Sequence, residues 1–310
     1  MDNELLERSL QISDEIGLDI SIVERIGVID GSSNLLYLIR FNGKPAVLKI
    51  FRDDGNTKIA REKSLSEILS KIGIKTPHLY YDSVGDISFI VEEYLDGNCP
   101  TDKKSLILRS ADCANLHVRT IGQIYGRLES YTDDERMVIM REMLKTLHLT
   151  NIPRRLISLI ESQVFLVENF PFCCTFYDFV PSNSKTKSSD SSLYYFDFER
   201  ARVTIPFFDP ACLVLYRKED IETICGSYHK TISYSVGPYG QLSYTDVKRY
   251  TMGAAVEKCI EILSFFQGDN HIDQSVREDV VEKYRTNLLF LLDRIDKDAN
   301  YNVKVDRKNE

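Results

Sequence analysis

The sequence has few of the side chains that build metal and redox centres. Tryptophan is absent, and the five histidines include no two that are three or four residues apart, which argues against a histidine-based metal site. The seven cysteines are scattered and contain no C-x-x-C spacing, so neither a zinc ribbon nor a redox dithiol is indicated. We interpret them as small buried hydrophobic residues of a protein in the reducing cytoplasm.

Membrane and nucleic-acid signals are also lacking. The opening residues MDNELLERSLQ are charged from the second position and do not resemble a secretory signal. No run approaches the roughly 20 apolar residues of a membrane span. The net charge of −8 argues against a nucleic-acid binder, which needs a basic face. We expect a cytoplasmic protein that has neither membrane nor nucleic acid as a partner; a monomer and a homodimer are both open.

The composition is that of a globular protein with a large core. Of the 310 residues, 43% are hydrophobic and 28% are charged, which suits one large domain or two lobes that share a cleft. Along residues 1–97, a short helix precedes three strand-like runs with turns at DGSSN and NGKP, then a helix and two more strand-like runs. These segments are 1–20, 21–51, 57–73 and 77–97.

The pattern becomes mainly helical from residue 98. The helical segments are 103–131, 133–147, 153–170, 243–266 and 272–297. This change from strand-like to helical segments predicts an α+β fold in two parts. A small lobe with an antiparallel β-sheet and one helix, over 1–97, precedes a larger, mainly helical lobe over 98–310.

Oxygen-bearing side chains surround a predicted hairpin. In CCTFYDFVPSN and SLYYFDFE, two strand-like runs flank a polar turn and carry Asp178, Asn183 and Asp197. Since both runs end near the same point of a hairpin, the three side chains are expected at one edge. Chance, a solvated hairpin and a metal–nucleotide site all remain open, because about one D-x-x-x-x-N occurs by chance in such a chain.

The order of these elements and residues resembles the aminoglycoside phosphotransferase and choline kinase group, which shares the two-lobed protein-kinase-like fold. That group carries H-G-D-x-x-P-x-N and then I-D-[FWL]-[EG]. Here YDFVPSN keeps the Asp, Pro and Asn, and FDFE keeps the second Asp. The resemblance implies that Asp178 is the catalytic base and that Asn183 and Asp197 bind Mg²⁺ through oxygen.

The resemblance also implies a nucleotide site in the β-rich lobe. Its residues would be Gly31, Ser32, Ser33, Asn34, Lys49, Glu62, Glu93 and Leu95. The GSSN loop would cover the phosphates with small side chains and backbone N–H groups. Lys49 would hold the phosphates, while the Glu93 C=O and the Leu95 N–H would bind the edge of the base.

Lys49 needs a partner of opposite charge, because it lies among apolar residues in a strand that should be buried. Helix geometry alone allows either Glu62 or Glu67, and the R-E-x order of the group favours Glu62. Without the resemblance, each feature has a simpler explanation. The GSSN loop could be a plain hairpin turn, Lys49 could be an edge-strand lysine, and the segment with Glu93 and Leu95 could be a strand that ends in a turn.

Several positions bear on the catalytic loop. The H-G of the group is replaced by Phe176 and Tyr177, and a phenylalanine can pack there but cannot hydrogen-bond. Asp209, in FFDPACL, matches a structural acceptor that steadies the loop. His117, in ADCANLHVR, matches a histidine that packs beneath the loop, although a helix histidine without a special role explains it equally well.

These matches predict an enzyme that transfers the γ-phosphate of ATP, with Mg²⁺ as cofactor and GTP as an alternative donor. The acceptor would be a hydroxyl group of a small molecule: an aminoglycoside-like antibiotic, an amino alcohol, a sugar or homoserine. A cationic acceptor would suit Glu219, Asp220 and Glu222, which otherwise form a helix start and a solvated face. The alternative is a pseudokinase-like protein that binds nucleotide without turnover. A protein kinase comes third, because no A-P-E segment follows Asp197.

Overall fold

The computed structural model describes most of the chain. The described residues are 2–15, 17–26, 34–52, 54–85, 87–123, 128–130, 135, 138–140, 142–143, 171–235, 237–268 and 274–306. The helix predicted over 153–170 lies outside them, as does most of the helix predicted over 133–147.

The chain divides into two units. The first unit comprises Met1–Pro100, Tyr125–Glu129 and Pro181–Arg202, and the second comprises Thr101–Ile124, Ser130–Val180 and Val203–Glu310. The predicted assignment of 1–97 to nucleotide binding and of 98–310 to catalysis and acceptor binding concerns function, and it stays a prediction.

A five-stranded antiparallel sheet dominates the first unit. Its strands are β1 (Ile20–Arg25), β2 (Asn34–Phe41), β3 (Lys44–Phe51), β4 (Leu79–Ser83) and β5 (Ser88–Glu93), in the order β1-β2-β3-β5-β4. The helices are α1 (Asp2–Glu15) and α2 (Gly55–Lys71). The strands and helices predicted for this part of the chain are therefore confirmed. The β2–β3 turn is the predicted one: Asn42 and Gly43 have φ values of 50° and 75°, the left-handed backbone that a two-residue hairpin requires.

The two faces of the sheet have different roles. Alternation along β2 and β3 buries Leu35, Ile39 and Leu48 in a core that packs against α1. On the other face, Phe51 and Ile90 pack with Ile59 of α2. Polar side chains described below share this second face: Lys49 lies directly opposite Ile90.

A short hairpin completes the first unit. It consists of β8 (Ser184–Lys187) and β9 (Asp190–Tyr195), which pair antiparallel. Its backbone lies against the segment that follows β5: the Thr186 N–H donates to the Asn98 carbonyl at 2.9 Å. Gly97 allows this approach, since a Cβ there would lie 1.9 Å from the Thr186 oxygen.

The second unit is mainly helical. Its helices are α3 (Lys103–Thr120), α4 (Phe208–Tyr216), α5 (Ile221–Ile232), α6 (Tyr244–Gly268) and α7 (Gln274–Asp306). Asp102 caps α3 by accepting from the Ser105 N–H at 3.0 Å. Three short strands, β6 (Glu129–Ser130), β7 (Cys173–Thr175) and β10 (Arg202–Thr204), form a sheet in the order β6-β10-β7. The last two predicted helices are confirmed as α6 and α7, whereas the first, predicted over 103–131, ends at Thr120.

All seven cysteines are free thiols, and all except Cys99 are buried. Their interpretation as small core residues is therefore confirmed for six of the seven and is wrong for Cys99. Among the described helices, none combines the length and the apolar character that crossing a bilayer requires.

Candidate active site

Lys49 lies at the centre of a cluster of carboxylates in the first unit. The residue is 4% exposed on β3, and its Nζ lies 2.7 Å from Glu62 Oε1, 2.5 Å from Asp197 Oδ1 and 3.7 Å from Glu199 Oε2. The predicted pairing of Lys49 with Glu62, rather than Glu67, is confirmed. An ammonium group is thus held beside three acidic side chains, one from α2 and two from the FDFE segment.

The charges in this cluster stabilise one another. Burial alone would lower the pKa of Lys49, but Asp197, Glu62 and Glu199 outweigh it and raise that pKa well above its usual value. Burial raises the pKa of Glu62, and the Lys49 charge opposes this rise. The second oxygen of Glu62 accepts the Phe198 N–H at 2.9 Å. This bond ties α2 to the FDFE segment.

Asp197 and Asn183 meet at one end of the β8–β9 hairpin. Asn183 ends a 3-10 turn just before β8, and its carbonyl accepts the Phe196 N–H at 3.1 Å. Asp197 has a φ of 67°, a left-handed conformation that is costly for a residue with a side chain and is characteristic of functional positions. Asn183 and Asp197 therefore flank one end of the hairpin, as expected. The predicted hairpin differs from the observed one: the run before Asp178 forms β7 in another sheet, and the first hairpin strand, β8, lies in the segment predicted as a polar turn.

These two residues offer the kind of donor that Mg²⁺ prefers. A carboxylate and an amide carbonyl are hard oxygen ligands, so their chemistry fits the predicted metal. Within the described ranges, no group of three or more His, Cys, Asp or Glu side chains has the arrangement of a metal site. Their role as metal ligands stays a prediction.

A cavity of about 400 Å³ opens beside Lys49, entirely within the first unit. Its apolar walls are Ile26, Leu36, Val47, Pro77, Leu95 and Phe196. Its polar lining consists of Asn34, Lys49, Glu92, Glu93, Tyr94, Ser182, Lys185, Asp197 and Glu199. A cavity with mainly apolar walls and several charged side chains suits a ligand that joins an aromatic ring to charged groups.

The predicted base-binding residues lie at this cavity. Glu93 ends β5, and Leu95 follows two residues later. The Glu93 side chain forms an ion pair with Lys187 of the hairpin. The roles of the Glu93 carbonyl and the Leu95 N–H toward a base stay predictions. Asn34 donates to Glu199 Oε2 at the start of β2, whereas Gly31, Ser32 and Ser33 lie outside the described residues.

The loop that precedes Asp178 is anchored within the second unit. The N–H groups of Phe176 and Tyr177 donate to the two oxygens of Asp209, at 3.0 and 2.8 Å. His117 Nε2 contacts Asp209 Oδ2 at 2.8 Å, and its Nδ1 contacts the Tyr228 hydroxyl at 2.7 Å. The roles expected of Asp209 and His117, as a structural acceptor and a residue packed beneath the loop, are confirmed.

Phe176 and Tyr177 replace the histidine and glycine of the group in different ways. Phe176 packs, as expected, against Phe179 with ring centroids 4.4 Å apart. Tyr177 adopts a φ of 66°, which a glycine adopts without strain. Its hydroxyl donates to Glu261 at 2.8 Å, and the buried Lys258 Nζ lies 3.8 Å from its ring centroid. The sequence carried no signal for Lys258 or Glu261.

Asp178 follows this loop, and two helices contribute its neighbours. Burial raises the pKa values of Cys212 on α4 and Tyr284 on α7, and the Asp178 carboxylate raises both further. Asp178 thus belongs to the second unit, while Asn183 and Asp197 belong to the first. Its role as catalytic base stays a prediction.

The acidic residues at 219–222 already contact cations of the chain. Arg217 lies 2.7 Å from Glu219 and 2.8 Å from Asp220. Glu222 lies 2.9 Å from Lys248 and 3.0 Å from Arg294. These ion pairs agree with the interpretation of this segment as a helix start with a solvated face.

The sequence reasoning missed two acidic residues of the cavity, Glu92 and Glu199. Glu199 is the last residue of FDFE, so the motif itself could have indicated it. Glu92 could have been found from strand register: Val47 pairs with Glu92 and Lys49 pairs with Ile90, so Glu92 shares a face with Lys49. Burial and the nearby Glu62 carboxylate raise the pKa of Glu92 to about 8.

Replacing Glu92 by Gln is expected to stabilise the protein at pH 8 but not at pH 4.5. The pKa of Glu92 is raised from 4.5 to about 8 on folding. Below pH 4.5 the carboxyl group is neutral in both the folded and the unfolded chain and costs no stability. Between pH 4.5 and pH 8 only the unfolded chain ionises, so the folded protein loses stability as the pH rises. A glutamine stays neutral throughout. With solvent screening taken into account, we expect a gain of about 2 kcal/mol in the free energy of unfolding at pH 8.

Urea unfolding between pH 4.5 and pH 8.5 measures this gain. The control is Glu67→Gln on the exposed side of α2, which should follow the wild-type curve at every pH. A Glu92→Gln effect that is constant with pH would contradict the assignment of the raised pKa.

Comparison with known proteins gives matches in structure only. No protein-family model and no curated protein sequence matches the chain. A macrolide 2'-phosphotransferase from Brachybacterium faecium is 14% identical and matches with a TM-score of 0.61, over 90% of this chain and 98% of that chain. A choline kinase from Streptococcus pneumoniae is 15% identical with a TM-score of 0.60, over 92% and 99%.

A third structure, a choline/ethanolamine kinase family protein from Mesorhizobium loti, is 15% identical with a TM-score of 0.61, over 88% of each chain. These matches confirm the predicted fold class: an α+β protein on the protein-kinase-like plan, with a five-stranded antiparallel sheet and a mostly helical remainder. The resemblance drawn from the sequence motifs is confirmed as a likeness of fold.

Proposed function

We propose that this chain, which has the fold of small-molecule phosphotransferases and kinases, is an enzyme that transfers the γ-phosphate of ATP to a hydroxyl group of a small molecule. The observation that carries the proposal is the buried ion pair of Lys49 and Glu62, with Lys49 and its second partner Asp197 in the lining of a cavity that has mainly apolar walls. A phosphotransferase needs such a group to bind phosphate oxygens, because positioning and charge neutralisation do most of the work.

The proposed roles follow from the chemistry of each side chain. Lys49 binds the phosphates, and Glu62 holds its ammonium in place. Asn183 and Asp197 hold Mg²⁺, which supplies positive charge to the phosphate oxygens when it is bound. Asp178 orients the acceptor hydroxyl and accepts its proton.

The acceptor belongs to one of four classes: an aminoglycoside-like antibiotic, an amino alcohol, a sugar or homoserine. The matched structures include phosphotransferases of macrolides and kinases of choline, and these names support a small hydroxylated acceptor without selecting one class. A cytoplasmic location, and a monomer or homodimer, complete the proposal.

One observation favours the alternative, a protein that binds nucleotide without turnover. Asp197 Oδ1 accepts from Lys49 at 2.5 Å, so the side chain proposed to hold the metal is engaged by a lysine. In an active enzyme this ion pair gives way when nucleotide and Mg²⁺ bind. In the alternative it persists and only the cavity is used.

A coupled ADP-release assay tests the proposal. The full chain is supplied with Mg²⁺ and ATP and with a panel of aminoglycosides, macrolides, amino alcohols, sugars and homoserine, while calorimetry measures Mg²⁺·ATP binding. Acceptor-dependent ADP release supports the phosphotransferase. Nucleotide binding without release by any acceptor supports the alternative, and absence of binding rejects both.

Replacing Lys49 by Met is expected to lower kcat/KM for ATP by about 30-fold, because a charge-assisted hydrogen bond to phosphate is worth about 2 kcal/mol. The double variant Lys49→Met/Glu62→Gln leaves no unpaired buried Glu62 carboxylate and checks that the loss does not come from misfolding. Lys71→Met, at the exposed end of α2, is the matched control and should keep wild-type kinetics. Undiminished kcat/KM in both Lys49 variants would contradict the assignment.

A further inference from the structure

Glu92 places a carboxyl group in the wall of the cavity. It lies on β5, opposite Val47 of β3, and its side chain is on the same face of the sheet as Lys49. The residue is partly exposed and lines the cavity together with the apolar Leu36, Val47 and Phe196. A ligand in this cavity must therefore face the Glu92 carboxyl group.

No partner within the described part of the chain neutralises this carboxyl group. The structure shows neither a hydrogen bond nor an ion pair from the Glu92 side chain to any described residue. Lys49, the cation whose charge acts on Glu92, is already engaged by Glu62 and Asp197. A carboxyl group in this position is favoured in its neutral form.

The charged groups that face Glu92 come from three elements. Glu62 from α2 and Asp197 after β9 favour the neutral acid, whereas Lys49 from β3 opposes it. Burial is the larger effect, and the resulting pKa is about 8. At pH 7 the group therefore presents one O–H donor and one carbonyl acceptor.

The neutral Glu92 carboxyl group, with a donor beside an acceptor, is complementary to adenine but not to guanine. Adenine presents an amino donor and the ring acceptor N7 side by side, whereas guanine presents two acceptors, O6 and N7. A neutral carboxyl group satisfies both groups of adenine. Against guanine its carbonyl oxygen faces another acceptor, and a mismatch of this kind in a buried site carries a large penalty.

We propose that Glu92 recognises the six-amino group and N7 of adenine together, and that this contact makes the cavity select ATP over GTP. The inference rests on the proposed function, since it assumes that the cavity binds a nucleotide. It assigns the base end of the cavity to Glu92 and the phosphate end to Lys49. The Glu93 carbonyl and the Leu95 N–H remain available for the opposite edge of the base.

Calorimetry of the full chain with Mg²⁺·ATP and Mg²⁺·GTP at pH 7 tests the proposal. We expect the wild type to bind ATP at least about tenfold more tightly than GTP, in line with the loss of one buried hydrogen bond and an unfavourable contact. Glu92→Gln, which keeps a donor and an acceptor, should retain ATP affinity within about threefold. Glu92→Leu should lose about tenfold in ATP affinity and show little preference between the nucleotides.

The pH dependence separates recognition from a structural effect. As the pH rises through about 8, the Glu92 carboxyl group ionises and loses its donor, so wild-type affinity for ATP should fall between pH 7 and pH 9. Glu92→Gln should show no such fall. Glu67→Gln, outside the cavity on α2, is the matched control and should keep the wild-type fall.

The possible outcomes distinguish this inference from the proposed function. Equal affinity of the wild type for both nucleotides, or an unchanged preference in Glu92→Leu, would overturn the role of Glu92 and leave nucleotide binding intact. Failure of the folded wild type to bind either nucleotide would overturn the proposed function and the inference with it.

Discussion

Replacing Asp178 by Asn is expected to lower kcat for phosphoryl transfer by about 10³-fold, with little change in the affinity for Mg²⁺·ATP. An asparagine has the shape of the aspartate but cannot accept the proton of the acceptor hydroxyl, and general-base catalysis contributes about 10²–10⁴-fold in enzymes. The loop around Asp178 should stay in place, because the Phe176 and Tyr177 N–H groups are held by Asp209.

ADP release and calorimetry on the same preparation measure these two quantities separately. The matched control is Asp279→Asn on the exposed side of α7, which makes the same chemical change in the same unit and should keep wild-type turnover. Full turnover by Asp178→Asn would mean that another group accepts the proton. A loss of nucleotide binding instead would mean that the substitution acts on the nucleotide site.

The second large effect is expected from Asp209→Ala, which should reduce the free energy of unfolding by about 4 kcal/mol. Asp209 and His117 are both 0% exposed, and the aspartate accepts from two backbone N–H groups and from His117. Alanine leaves these three buried donors without their acceptor, and each such loss costs about 1–3 kcal/mol. The loop before Asp178 should lose its orientation, so activity should fall with stability.

Denaturant unfolding of the full chain measures this loss. Tyr228→Phe removes only the outer contact, at His117 Nδ1, and should cost about 1 kcal/mol. Asp279→Ala on α7 should change stability by less than about 0.5 kcal/mol, as surface substitutions usually do. A loss of less than 1 kcal/mol in Asp209→Ala would show that other groups or solvent satisfy the loop.

Much of the fold and of the candidate site was accessible from the sequence. The NGKP turn between two strand-like runs located β2 and β3, because a tight hairpin needs the left-handed backbone that Asn42 and Gly43 adopt. The pairing of Lys49 with Glu62 could be chosen only with the help of the motif order, since Glu67 lies on the same helix and satisfies the same charge requirement. Structure decided between them: Glu62 is buried, and Glu67 is exposed.

Other parts of the site could not be predicted, because they depend on which strands become neighbours. In the sequence, Glu92 is one of two adjacent glutamates that nothing distinguishes. Only its pairing with Val47 in the sheet shows that its side chain lines the cavity. Lys258 and Glu261 lie about one turn apart on α6, and both contact Tyr177. No local pattern marks them, since the contact joins residues more than eighty positions apart.

Residue order alone indicated the change from strands to helices, a hairpin before Asp197, six of the buried cysteines and the likeness to small-molecule phosphotransferases, although it misplaced the first strand of that hairpin. These follow from local periodicity, turn chemistry and short motifs, which act over a few residues. The tertiary structure decided which carboxylate holds Lys49, which acidic side chain faces the cavity, and how a tyrosine takes the place of a glycine before Asp178. Those outcomes depend on burial and on contacts between distant segments, because the free energy of a charge is set by the groups that surround it in space.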